Sequence, residues 1–229
     1  MRIAGMMRLS EIDQRKLGND IMKFAIKEMS AYTEHLYFLK IGTIDEDIIS
    51  FIESLDKPFK ITNQTADYLH GWMFRNNESL DDLYKTVDKG FDWVMYPDAD
   101  DILPENILEI VKSADQDKAD VIRLHFIETF GDVNKIIKMI NGFPIGPHFK
   151  GVRMADDITF IGSDGFNEPT TTSARNLKRH ESEYCMRHLR YCNQQAIEER
   201  QKMNYYQDYF LQNHELIDYK PMQKRKYYE

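Results

Sequence analysis

Cysteine is nearly absent from this chain: Cys185 and Cys192 are its only two among 229 residues. On a helix they would lie about two turns, roughly 10 Å, apart, beyond the reach of a disulfide. No zinc-type spacing surrounds them either, so both read as small buried hydrophobes. Long apolar runs are missing as well. Nothing approaches the ~20 residues of a membrane helix, and Met1-Arg2-Ile3-Ala4-Gly5-Met6-Met7-Arg8 holds too short an apolar stretch for a signal peptide. The expectation is a cytoplasmic protein without a transmembrane segment. Positive charge is the scarcer sign, with 30 Lys and Arg against 38 Asp and Glu and a net charge of −8. That balance disfavours a sequence-independent nucleic-acid binder, whose affinity comes largely from cations on phosphates. The one basic run, Lys220-Pro221-Met222-Gln223-Lys224-Arg225-Lys226, suits phosphates or a membrane surface, and as a solvated terminus it makes residues 211–229 a basic tail.

What is present is enough for one large domain: 42% hydrophobic and 30% charged residues support a full core and exclude global disorder. The first half alternates strands and helices. Ile3 to Met7 reads as a strand, and Glu11 to Ser30 as an amphipathic helix with Leu17, Ile21 and Phe24 on one face. A second strand follows at Leu36 to Ile41, then a helix from Asp45 to Leu55 begun by acids. Phe59 to Thr62 is a short third strand, Ser79 to Val87 a helix capped by Ser79, and Trp93 to Tyr96 a fourth strand. Such alternation predicts right-handed crossovers and a doubly wound, mostly parallel α/β sheet. Ile107, Ile110, Val111 and Ala114 mark the next helix. In Val121 to Ile127, Ile122, Leu124 and Phe126 alternate with Arg123 and His125, so one face is core and the other open. Residues 142–169 are rich in Gly and Pro, with short strands at Gly151–Met154 and Ile158–Ile161. Residues 184–211, dense in Tyr, Arg and Gln, return to helix.

The chemistry concentrates at Tyr96-Pro97-Asp98-Ala99-Asp100-Asp101. Three carboxylates follow a buried strand directly, which puts negative charge at the carboxyl edge of the sheet, where open α/β sheets bind ligands. Acids crowded in this way repel one another unless a cation sits between them, and magnesium or manganese favours oxygen ligands while leaving positions for substrate phosphates. A structural reading also stands: Asp initiates turns, and Asp101 alone suits a cap before Pro104-Glu105-Asn106.

With its neighbours this stretch resembles the family 2 glycosyltransferases of the GT-A fold. Asp92-Trp93-Val94-Met95-Tyr96-Pro97-Asp98-Ala99-Asp100-Asp101 looks like their Asp-x-Asp segment, and Trp72 with Arg75-Asn76 like the residues that often precede it. Gly165-Phe166-Asn167-Glu168-Pro169 resembles a Gly-x-His-Glu-Pro-type segment, with Asn167 in place of histidine. Met186-Arg187-His188-Leu189-Arg190-Tyr191 resembles a later His-containing segment followed by a helix. The likeness spans residues 1–210, and compact glycosyltransferases of this size also serve bacteriophage DNA modification. Two departures stand out. Arg8-Leu9-Ser10-Glu11 replaces the usual Arg-Asn-Glu, and Lys40-Ile41-Gly42-Thr43-Ile44-Asp45 lacks the early base-reading carboxylate.

The resemblance implies a GT-A-like domain with a C-terminal helical segment, transferring a sugar from a nucleotide-sugar, UDP-linked in the first instance, to an acceptor hydroxyl with inversion. The acceptor classes open are a glycan, a protein or a hydroxymethylated base in DNA. Asp98 and Asp100, completed by His188, would hold Mn2+ or Mg2+. Asp98, Arg75, Asp45, Arg8 and Arg190 would contact the donor. Glu168 is the candidate base, with Asp164 and Asp157 as rivals, and loop capping of Thr170 to Thr172 as its structural alternative. Lys150-Gly151-x-Arg153 suits phosphate or acceptor, and Tyr205, Tyr206 and Tyr209 suit stacking or plain packing. Sugar-phosphate nucleotidyltransferases also pair an α/β sheet with metal-binding acids, but residues 1–15 hold only Gly5 where those enzymes open on a glycine-rich phosphate loop. A binding module that kept the fold and lost the chemistry is the remaining alternative.

Overall fold

A computed structural model describes residues 1–64, 72–139, 145–163, 166–194, 197–198 and 214–225. Four parallel strands form its first half: β1 (Ile3–Ser10), β2 (His35–Ile41), β3 (Phe59–Gln64) and β4 (Trp93–Met95), in the order β3-β2-β1-β4. Successive residues of β1 and β2 are buried on opposite faces. Met6, Tyr37 and Leu39 join one cluster, and Met7, Leu9, Leu36 and Phe38 another, which is why these strands read as near-continuous apolar runs. Helices α1 (Glu11–Leu17), α2 (Asn19–Tyr32) and α3 (Glu46–Ser54) cover the second face, and α4 (Trp72–Lys85) covers the first through Leu80, Leu83 and Tyr84. The architecture is the expected doubly wound α/β sheet. One helix was expected over Glu11–Ser30, but Gly18 at φ 78° breaks it. Ser79 does not stand at a helix start: α4 begins seven residues earlier and buries it. Gly5 is needed where α2 crosses β1, because a Cβ there would meet Met29 at 2.9 Å.

The second half extends the sheet. α5 (Ile107–Gln116) leads to β6 (Val121–Phe130), which pairs in parallel with β11 (Arg179–Tyr191) and antiparallel with β8 (Ile145–Arg153); β8 in turn pairs antiparallel with β4. Parallel pairs still hold the larger share of the paired residues. Two-residue β5 (Asp101–Ile102) pairs antiparallel with β11. β7 (Lys135–Met139) and β12 (His214–Asp218) close the far edge, while β9 (Ile158–Ser163) and β10 (Phe166–Thr171) form a separate hairpin. The helix expected over 184–211 is therefore strand as far as Tyr191, and 201–213, with the Tyr205–Tyr209 cluster, lies outside the described residues. Cys185 and Cys192 are both buried and form no disulfide. Within the expected tail, β12 extends the sheet, Lys224 pairs with Glu183, and Arg225 Nη1 lies 2.7 Å from His125 Nε2. Among the described residues no helix is long and apolar enough to cross a membrane.

Candidate active site

Chain order reverses at β1: β2 and β3 run out on one side, and β4 lies on the other. Such a switch point is where open α/β sheets place a ligand crevice, beyond the carboxyl ends of the strands, here β1 and β4. β1 delivers Arg8 and Ser10 to it, and β4 delivers the acidic turn. The turn is closed on itself, with Asp98 N donating to Asp101 Oδ2 at 2.9 Å and Asp101 N to the Asp98 carbonyl at 3.0 Å.

Three strands, β1, β8 and β11, bring cations to this turn. Tyr96 N donates to the Lys150 carbonyl at 3.0 Å, carrying the β4–β8 pairing one step further and placing Lys150 beneath the acids. Lys150 Nζ lies 2.6 Å from both Asp98 Oδ2 and Asp101 Oδ2, and Arg8 Nη2 lies 2.8 Å from Asp98 Oδ1. Burial would raise the Asp98 carboxyl, but Lys150 and Arg8 outweigh it and hold it far below the usual carboxylate range. Burial would likewise lower the Lys150 ammonium, yet Asp101 and Asp98 hold it above its ordinary value. On the other side β5 pairs His188 with Asp101, and Leu189 N donates to the Asp100 carbonyl at 2.6 Å. His188 Nε2 lies 3.1 Å from Asp100 Oδ2, and its Nδ1 lies 3.1 Å from Glu128 Oε1. Burial pushes the imidazole down, but Glu128 and Asp100 outweigh it and keep it well above its ordinary value. His148, two residues before Lys150, is pushed to about 3 by burial, with Lys150 adding to the effect. Phe126 separates the two histidines, its ring centroid 4.7 Å from His148 and 5.1 Å from His188.

Asp100, Asp101 and His188 each offer a ligand atom, all within 4.8 Å of one another. The two carboxylates are donors that hard divalent cations take, and the imidazole is one that first-row transition ions share. The turn thus brings together Asp98, Asp100, His188 and Arg8 of the expected set. Asp45 stands at the end of β2 as the N-cap of α3, accepting from Asp47 N at 2.9 Å. Arg75 lies on α4 and Arg190 on β11, with side chains outside the described residues, and Asp164 falls outside them altogether. Glu168 was expected in a loop; it lies instead on β10 opposite Ile161, and its side chain is exposed. Its carboxylate and that of Asp98 both act on the buried Tyr96 phenol, which burial chiefly raises well above its ordinary value. Asp157 is tied to Arg175 Nε at 2.9 Å and Ser173 Oγ at 2.8 Å. Sequence reasoning missed Glu128, whose only signal is an acid inside an apolar strand.

No protein-family model matches the chain, and no curated protein matches it. Among solved structures it is similar to HddC from Yersinia pseudotuberculosis, at 8% identity and TM-score 0.49 over 89% of this chain and all of that one. It is also similar to 4-diphosphocytidyl-2C-methyl-D-erythritol synthase from Anaerococcus prevotii, at 12% identity and TM-score 0.43 over 66% of this chain and 70% of that one. A third is the mannosyltransferase PcManGT from Pyrobaculum calidifontis, solved with GDP-Man and Mn2+, at 10% identity and TM-score 0.42 over 55% of this chain and 35% of that one. Likeness at this level carries no argument about activity, which rests on the site itself.

Proposed function

We propose that this chain is a divalent-metal-dependent glycosyltransferase that moves a sugar from a nucleoside diphosphate-sugar, UDP-linked in the first instance, to an acceptor hydroxyl with inversion. The observation supporting this reading is the acidic turn at the switch point, where Asp100, Asp101 and His188 converge within 4.8 Å. These three would hold Mn2+ or Mg2+, with Asp98 beside them. The bound ion would supply positive charge to the departing diphosphate. Arg8 and Lys150 keep Asp98 ionised, as an acceptor for a ribose hydroxyl at the crevice. Asp45, Arg75 and Arg190 are the remaining donor contacts. Glu168, or Asp164 in its place, takes the proton of the acceptor hydroxyl as that oxygen attacks the anomeric carbon, and the nucleoside diphosphate leaves from the opposite face. The acceptor is a glycan hydroxyl, with a protein or a hydroxymethylated DNA base as the other classes to screen.

The test is hydrolysis of a nucleotide-sugar panel with Mn2+, with Mg2+ and with excess chelator, followed by an acceptor screen that includes hydroxymethylated duplex DNA. Cleavage of a UDP-sugar only when metal is present supports the reading. Pyrophosphate release from a nucleoside triphosphate and a sugar 1-phosphate would instead identify a nucleotidyltransferase, and binding without turnover a binding module. Glu168→Gln should keep donor binding while transfer falls by about 100-fold or more, the scale of a lost general base. Wild-type transfer by that variant moves the role to Asp164.

A further inference from the structure

Among the described residues, Glu128 is a buried acid beside the site that the proposed chemistry does not use. Its side chain is 7% exposed on apolar strand β6, a costly place for a carboxylate without a partner. The strand pairing explains its presence. β6 and β11 run in parallel with Glu128 opposite His188, and Thr129 Oγ1 donates to the His188 carbonyl at 3.1 Å, fixing that register. Phe126 packs against the imidazole at 5.1 Å, limiting its tilt. Glu128 meets Nδ1 at 3.1 Å while Asp100 meets Nε2 at 3.1 Å. The ring therefore stands between the two acids, and Glu128 cannot share an ion with Asp100.

We infer that Glu128 is a positioning residue: by accepting the Nδ1 proton of His188 it presents the Nε2 lone pair to a divalent ion held by Asp100. The inference rests on the metal reading above. A carboxylate behind a histidine ligand sets its tautomer and orientation, and losing such a partner typically weakens metal binding 10–100-fold. The experiment is Mn2+ titration of the full chain by calorimetry and electron paramagnetic resonance, with the 14N coupling of a ligating imidazole recorded by pulsed methods. Wild type should bind Mn2+ with imidazole coupling. Glu128→Ala should bind about 10–100-fold more weakly and lose the coupling, while Glu128→Gln, whose carbonyl can accept from Nδ1, should retain it. A folded Glu128→Ala variant with wild-type affinity and coupling overturns the inference and leaves the metal reading standing. Wild type that binds no Mn2+ overturns both. Independently of any variant, 15N-histidine spectra of the wild-type chain with saturating Mg2+ should place the His188 proton on Nδ1; a proton on Nε2 overturns the inference.

Discussion

The β8 side and the β11 side of the acidic turn meet different carboxylates, and with different chemistry. From β8, Lys150 reaches Asp98 and Asp101 at 2.6 Å with a charge that burial fails to remove. From β11, His188 reaches Asp100 at 3.1 Å with a charge that depends on a proton. A metal ion can take the place of a proton on an imidazole nitrogen. It cannot replace a buried ammonium without leaving that ammonium unpaired. The difference assigns the two halves of the turn different work: the β8 side holds the fold of the site, and the β11 side is the face open to exchange.

The largest expected effect breaks the β8 side. Lys150→Met leaves Asp101 buried without its cation and should cost about 3–5 kcal/mol in urea unfolding, the scale for removing one partner of a buried pair. A loss under about 1 kcal/mol would dissolve the contrast. Next comes the exchangeable side: Mn2+ at a hundred times its dissociation constant should stabilise the wild-type chain by about 2.7 kcal/mol. Asp100→Asn should abolish most of that gain, read as the difference between metal and chelator within each protein so that the lost contact with His188 cancels. Equal stabilisation of both proteins would move the ion away from Asp100.

The two histidines sharpen the comparison through pH, in excess chelator. His148 is held down at about 3 against about 6.5 in the unfolded chain. Its contribution is therefore fully present above about 6.5 and lost as pH falls, because there the unfolded chain binds a proton that the folded one refuses. His188 is held up by Glu128 and Asp100 against burial. Its contribution is fully present below about 6.5 and lost as pH rises through the raised folded value. Unfolding midpoints against pH should flatten on the acid side in His148→Phe and on the alkaline side in His188→Gln; both variants flattening the same side would refute the opposition. The smallest effect is Arg8→Met, about 1 kcal/mol or less, since Asp98 keeps Lys150 and its side chain is 37% exposed.

The parallel half was legible because β1, β2 and β4 are buried apolar runs and its helices carry apolar periodicity, so the strands and the acidic turn stand where the residues indicate, while the break at Gly18 and the start of α4 escaped the pattern. The partners of that turn were legible only in part. Arg8 and His188 came from the resemblance, while Lys150 was legible as a cation for phosphate or acceptor but not as the counter-charge of Asp98 and Asp101, because its Gly- and Pro-rich stretch carries little pattern. β11 was misread as helix for a physical reason: register shifts between Glu181 and Cys185 and between His188 and Tyr191 interrupt the two-residue alternation that marks a strand. Glu128 breaks the apolar pattern of β6, and only the third dimension shows the histidine that justifies it.

The separations within the site bear on how the protein comes together as it folds. Asp98 precedes Lys150 by 52 residues, and Asp100 precedes His188 by 88. A chain folded only as far as β4 would present its acids at the sheet edge with Arg8 of β1 in place but with neither Lys150 nor His188 docked. Non-local closures of this kind are slow, because the loop entropy is spent before the contacts reward it. β8 and β11 dock Lys150 and His188 against the turn, so the site is complete only when the sheet is.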